Sequence, residues 1–177
     1  MPTKSESQSR PIYLVGMMGA GKSTVGPRLA ARLRRGFVDT DHEVERQTGQ
    51  SIAQIFEEQG EASFRALEVA AIDAASEKGA VVALGGGAIA QPGATARLRE
   101  RGTIVFLEAA PGVLIKRIGA GGTRPLLAGL DRTAQVERLT SLLSERRVHY
   151  EMADITVDAS RSANEVVDEI VSALTQH

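Results

Sequence analysis

The 177-residue sequence contains no cysteine. Disulfides and thiolate metal sites are thereby excluded, and the absence agrees with a reducing cytoplasm as the expected location. Nor does any apolar run reach the length that spans a bilayer. Residues 1–10 are polar and lack the apolar stretch of a signal peptide, so they read as a disordered tail, and no membrane partner is expected. Net charge is equally scarce. The 21 basic and 22 acidic residues leave −1, too little for bulk attraction to nucleic acid, which is not expected as a partner. Lysine is the rare base, 4 against 17 arginines. Genome composition explains such a bias as readily as a need for rigid phosphate- and carboxylate-binding forks, so each arginine is weighed at its own place.

A hydrophobic content of 42% is enough for one core, and no repeat or boundary divides residues 11–177, which are expected to form one domain. The chain is organised around Gly16-Met17-Met18-Gly19-Ala20-Gly21-Lys22-Ser23-Thr24. The spacing Gly-x-x-x-x-Gly-Lys-Ser/Thr belongs to a loop whose successive backbone N–H groups wrap a polyphosphate. Its lysine reaches the outer phosphates and its serine hydroxyl ligates magnesium. Glycine is needed because the loop turns through backbone angles that a β-carbon forbids and because phosphates approach the main chain closely. Context agrees. Pro11 to Val15 is a short, apolar, β-favouring run, and Ser23 to Arg34 reads as a helix with Val25, Leu29, Ala30 and Leu33 on one face. Pro27 is expected in the first turn of that helix, where a missing N–H costs little.

Gly36 to Asp41 reads as a second short strand ending in two carboxylates. Ligands of parallel sheets sit at the carboxyl ends of strands, and extended residues two apart share a face. Asp39 and Asp41 therefore point to magnesium and proton handling, with capping of the next helix by one of them or by Thr40 as the alternative. Helices are expected over Glu43 to Thr48, Ser51 to Gln59 and Glu61 to Lys78, broken at Gly49 and Gly60, with Glu57, Glu58 and Glu61 on a solvated face. Ala80 to Leu84 and Thr103 to Leu107 are continuous apolar runs of the kind buried in a parallel sheet. The first ends in Gly85-Gly86-Gly87, which is either a plain turn or bare backbone for a polar ligand. Pro92 to Arg101, Val113 to Ile118, Arg132 to Tyr150 and Ala163 to Leu174 read as helices, and Ile155 to Val157 as the last strand. The alternation predicts a doubly wound α/β fold. Between Gly119 and Gly129 the glycines around Arg124-Pro125 break regular structure. That is the composition of a lid delivering an arginine to a transferring phosphate, or of a surface loop.

Gly16 to Gly26, Asp39-Thr40-Asp41, Gly60-Glu61 with Phe64-Arg65, Gly85 to Gly87, Thr123 to Leu127, and Glu145-Arg146 ahead of Tyr150 together resemble the shikimate kinase family, in order and at compatible spacing. The resemblance implies a three-layer P-loop kinase fold related to nucleoside monophosphate kinases. Helices would flank a five-stranded parallel sheet, with a substrate-binding region at about 40–70 and a lid at about 119–130. It implies transfer of phosphate from ATP, with Mg2+, to the 3-hydroxyl of shikimate by a cytoplasmic monomer whose partners are ATP, ADP and shikimate. Carried onto this sequence, the family assigns the phosphates to Gly19, Ala20, Gly21, Lys22, Ser23 and Thr24, and magnesium to Ser23 and, through water, Asp39. Asp41 would bond the shikimate hydroxyls and act as base. Arg65 and Arg146 would clamp the carboxylate, and the backbone at Gly86 and Gly87 would touch ring hydroxyls. Lys22, Asp41 and Arg124 form the catalytic set, and Arg117 and the loop around Arg161 would flank adenine. Guanidinium forks meet carboxylates in paired bonds, so two arginines near two carboxylates suit a polyol acid. One departure stands out. Family members commonly carry Pro-Leu between the second arginine and the tyrosine, whereas this chain has Arg147-Val148-His149, which makes Arg147 a rival to Arg146. A gluconate-type kinase and a nucleotide-dependent switch are the competing readings.

Overall fold

A computed structural model describes residues 10–119 and 125–176. Its centre is β1 (Ile12–Val15), every residue of which is buried. The strand pairs in parallel with β3 (Val81–Ala83) on one side and β4 (Thr103–Glu108) on the other. Ile12 lies opposite both Val81 and Thr103. The edges are β2 (Phe37–Asp39) and β5 (Ile155–Asp158), giving the order β2-β3-β1-β4-β5 with all strands parallel. The inner strands β1 and β3 are apolar throughout, and β4 is apolar between Thr103 and Glu108 at its ends, because helices cover both faces and leave no solvent side for alternation. The expected three-layer α/β fold with a five-stranded sheet is therefore present.

Seven helices accompany these strands among the described residues: α1 (Lys22–Leu33), α2 (Thr40–Thr48), α3 (Ile52–Glu77), α4 (Ala94–Arg101), α5 (Pro111–Ile118), α6 (Arg132–Tyr150) and α7 (Ala163–Gln176). A 3-10 turn covers Pro125–Leu127. Helix α1 packs against β2 at Gly26, where an added β-carbon would overlap the Phe37 ring. Helix α3 starts with a capping box, Ser51 Oγ accepting from Gln54 N while Gln54 Oε1 accepts from Ser51 N. It breaks at Gly60, whose φ of 81° suits glycine, as the sequence led one to expect. The stretch between β2 and β3 has its own small core of Val44, Ile55, Phe64 and Ala71, separate from the main one around β1. Glu57, Glu58 and Glu61 are exposed, as expected.

Two expectations need correction. Helix α1 begins at Lys22, so Pro27 falls in its second turn, not its first, and removes the hydrogen bond an N–H there would give the Ser23 carbonyl. The extended chain also stops at Asp39 rather than running on to Asp41. Asp39 Oδ1 accepts from the N–H groups of Asp41 at 3.1 Å and His42 at 3.2 Å and so caps α2, placing Asp41 in the helix's first turn. No described helix is long and apolar enough to cross a membrane.

Candidate active site

The carboxyl end of β1 turns straight into the glycine-rich loop. Gly19 and Gly21 adopt φ of 81° and 101°, and Gly21 is the N-cap of α1 with no side chain bonding the helix's first N–H groups. A free helix start lined by glycine is where an anion is bound by backbone N–H donors and the helix dipole. The loop is wedged between β4 and α5: a β-carbon at Gly16 would stand 2.8 Å from Leu107 O, and one at Gly19 2.9 Å from Leu114 O. Ala20 is buried beneath it, while Ser23 and Thr24 are exposed on the first turn of α1. Lys22 folds back over the loop, its Nζ donating to Gly16 O at 2.5 Å and Met17 O at 3.2 Å.

Arg117, in the last turn of α5, joins this loop to the one after β5. Its Nη1 donates to Ala20 O at 3.3 Å and its Nη2 to Ala159 O at 2.5 Å, with Arg161 O at 3.5 Å. The guanidinium thus ties the phosphate loop to residues 159–161. Arg161 lies in the facing loop, but its side chain pairs with Glu169 of α7. Arg124 lies outside the described residues.

On the other side of the phosphate loop, four charged side chains gather over Gly85, Gly86 and Gly87 at the end of β3. A β-carbon on Gly85 would come within 2.6 Å of Asp41 Oδ1 and 2.7 Å of Glu68 Oε1. One on Gly86 would meet Arg146 Nη1 at 2.9 Å, and one on Gly87 would meet Arg65 Nη2 at 2.7 Å. The three glycines therefore make more than a plain turn. They vacate the space that the charged groups fill. Thr40 fixes the register, its buried hydroxyl donating to Ala83 O at 3.3 Å and accepting from Gly85 N at 3.1 Å, which ties the start of α2 to the end of β3.

Glu68 is the residue that sequence reasoning missed. It is 1% exposed, its Oε2 accepts from Arg65 Nη1 at 2.7 Å, and its Oε1 has no hydrogen-bond partner. Burying a carboxylate is costly, so one kept inside with half its acceptors unused belongs to a site. Its signal was present: Glu68 sits one turn after Phe64 and one before Ala71 and Ile72, in the apolar stripe of α3. Burial pushes the carboxyls of both Asp41 and Glu68 upward. For Asp41 the charge of Asp39 adds to the shift, against Lys22 and Arg65, and for Glu68 the hydrogen bond from Arg65 opposes it.

Helix phase separates Arg146 from Arg147. Arg146 turns inward to Gly86 and to Met17 Sδ, 3.7 Å away, whereas Arg147 pairs with Glu151 on the surface at 2.7 Å. No group of three or more His, Asp or Glu side chains suited to a metal exists among the described residues. An ion here would draw on one hydroxyl, Ser23, one carboxylate, Asp39, and otherwise on phosphate and water, a donor set that fits magnesium. Asp39 uses Oδ1 for both capping bonds, and Oδ2 takes no part in them.

Comparison with known proteins places the sequence and the fold. The shikimate kinase family model matches residues 18–175. A shikimate kinase of Caldanaerobacter subterraneus subsp. tengcongensis is 43% identical over 164 residues, covering 92% of this chain and 94% of the relative. The structure of shikimate kinase from Acinetobacter baumannii in complex with shikimate superposes with a TM-score of 0.86 at 38% identity, covering 99% of this chain and 98% of that one. A gluconokinase from Sinorhizobium meliloti, at 20% identity and a TM-score of 0.62 over 95% of this chain and 93% of its own, shares the fold alone. On the length and identity of these matches, the chain belongs to the shikimate kinase family.

Proposed function

We propose that this protein transfers the terminal phosphoryl group of ATP to the 3-hydroxyl of shikimate, giving shikimate 3-phosphate and ADP, a step of chorismate and aromatic amino acid biosynthesis. The observation that carries the reading is the pair of guanidinium groups, Arg65 and Arg146, over adjacent glycines beside the Asp41 carboxylate. A switch that only holds nucleotide has no use for a second anion site of this kind, and a cyclic acid alcohol fills it with its carboxylate on the arginines and a hydroxyl at Asp41.

The residues take these roles. Backbone N–H groups of Gly19 to Thr24 wrap the phosphates, and Lys22 exchanges its two loop carbonyls for phosphate oxygens. Ser23 and Asp39 would hold magnesium, which neutralises charge on the outer phosphates when bound. Arg117 and the loop bearing Arg161 would flank the base, and Arg124 would add its charge to the transferring phosphate. Asp41 accepts the hydroxyl proton, a task helped by its raised pKa. Because the transition state of phosphoryl transfer is loose, placement and charge neutralisation count for more than the strength of that base. Glu68 keeps Arg65 aimed at the acid, and Gly86 and Gly87 offer backbone to the ring hydroxyls. Residues 11–177 would act as one domain, with the acid bound through the 40–70 region and a lid over 119–130, as a cytoplasmic monomer.

ADP release with shikimate, with gluconate and with no acceptor, each in the presence of Mg2+ and ATP, tests the proposal. Release that depends on shikimate is expected. Faster release with gluconate, or equal release in all three, would overturn it.

A further inference from the structure

Met17 belongs to the phosphate loop, yet its side chain is 1% exposed and reaches the acid-binding side. Its Sδ lies 3.7 Å from Arg146 Nη1 and 3.6 Å from the Tyr150 hydroxyl, both donors. Its carbonyl accepts from Lys22 Nζ at 3.2 Å. Tyr150 is held by stacking on Phe106, with ring centroids 4.7 Å apart, and its hydroxyl also lies 3.5 Å from Gly86 O. Arg146 in turn rests on Gly86. One buried residue is thus bonded at its backbone by the lysine of the nucleotide site and at its side chain by the arginine of the acid site. A thioether is a weak acceptor, but removing it from a closed pocket leaves the arginine and the tyrosine donors with poorer partners.

Building on the shikimate kinase reading, we infer that Met17 is a positioning residue that couples the two pockets. When Lys22 leaves the Met17 carbonyl for a polyphosphate, the change passes through the Met17 side chain to Arg146 and Tyr150, so that nucleotide and acid bind interdependently. Linkage requires each ligand to alter the other's affinity by the same factor.

Calorimetric titration of shikimate into the free and the ADP-saturated protein tests this, with the parent chain, Met17→Leu, Tyr150→Phe and the double variant. Leucine keeps the volume and removes the acceptor. In the parent the two dissociation constants are expected to differ by about threefold or more, and in Met17→Leu by less than about 1.5-fold. Tyr150→Phe should reduce the difference in part, and the double variant should do no more than Met17→Leu, because both changes act on one contact. If Met17→Leu does not fold, Tyr150→Phe carries the test alone. The same ratio in the variants as in the parent, or a parent ratio of one, would overturn the inference while leaving the enzymatic reading intact. A parent that binds no shikimate in either state would overturn both.

Discussion

Arg65 of α3 and Arg146 of α6 lie 81 residues apart in sequence, yet their guanidinium groups rest on the consecutive glycines Gly87 and Gly86. Neither helix could set that spacing by itself. The loop at the end of β3 supplies it, because a β-carbon at either glycine would come within 2.7 Å or 2.9 Å of a guanidinium nitrogen.

Gly87→Ala should therefore push Arg65 off its seat and weaken acid binding without touching the nucleotide. Steady-state kinetics are expected to show the shikimate KM raised roughly tenfold or more and the ATP KM within about twofold of the parent. Equal increases in both constants would count against the clamp.

Asp41 gives a prediction in which activity and stability move in opposite directions. Its carboxyl is raised first by burial and then by the Asp39 charge, so ionising it costs more in the folded chain than in the unfolded one. A raised carboxylate loses stability as pH rises through its folded pKa. Asp41→Asn removes that cost. The Tm should rise by about 2–4 °C at neutral pH, with the gain fading below the ordinary carboxylate range, while kcat falls by roughly a hundredfold or more. Thermal scans from acid to neutral pH check the first half and turnover the second. A variant as active as the parent would remove Asp41 from the chemistry.

Arg117 should matter for nucleotide and not for acid, since its two terminal nitrogens join Ala20 O of the phosphate loop to Ala159 O of the loop after β5. Arg117→Ala is expected to raise the ATP KM by about tenfold and leave the shikimate KM within about twofold. Arg117→Lys should not restore the parent value, because a single ammonium cannot span both carbonyls as a planar fork does. Full rescue by lysine would show that charge alone suffices.

The packing of α1 on β2 can be tested away from the site. Gly26→Ala overfills the contact with Phe37 and should cost ~1–3 kcal/mol, seen as a lowered Tm. Gly36→Ala serves as the control, since nothing lies within 4 Å of the β-carbon it would add. Equal Tm values for the two variants would refute the argument.

What the sequence settled by itself was local. The phosphate loop, the order of strands and helices, the break at Gly60 and the full extent of α6 follow from backbone preferences and apolar periodicity within a few neighbouring residues. Tertiary structure decided what depends on distant partners. Asp39 became a cap and Asp41 a helical residue because Thr40 is bonded to β3. Arg146 rather than Arg147 faces the cleft because packing fixes the phase of α6, and one step along a helix turns a side chain through about 100°. Met17 joined the site for the same reason, since its sulfur meets Arg146 from 129 residues away. Glu68 finds Arg65 within its own helix, and tertiary packing decided only that the pair is buried over Gly85 beside Asp41.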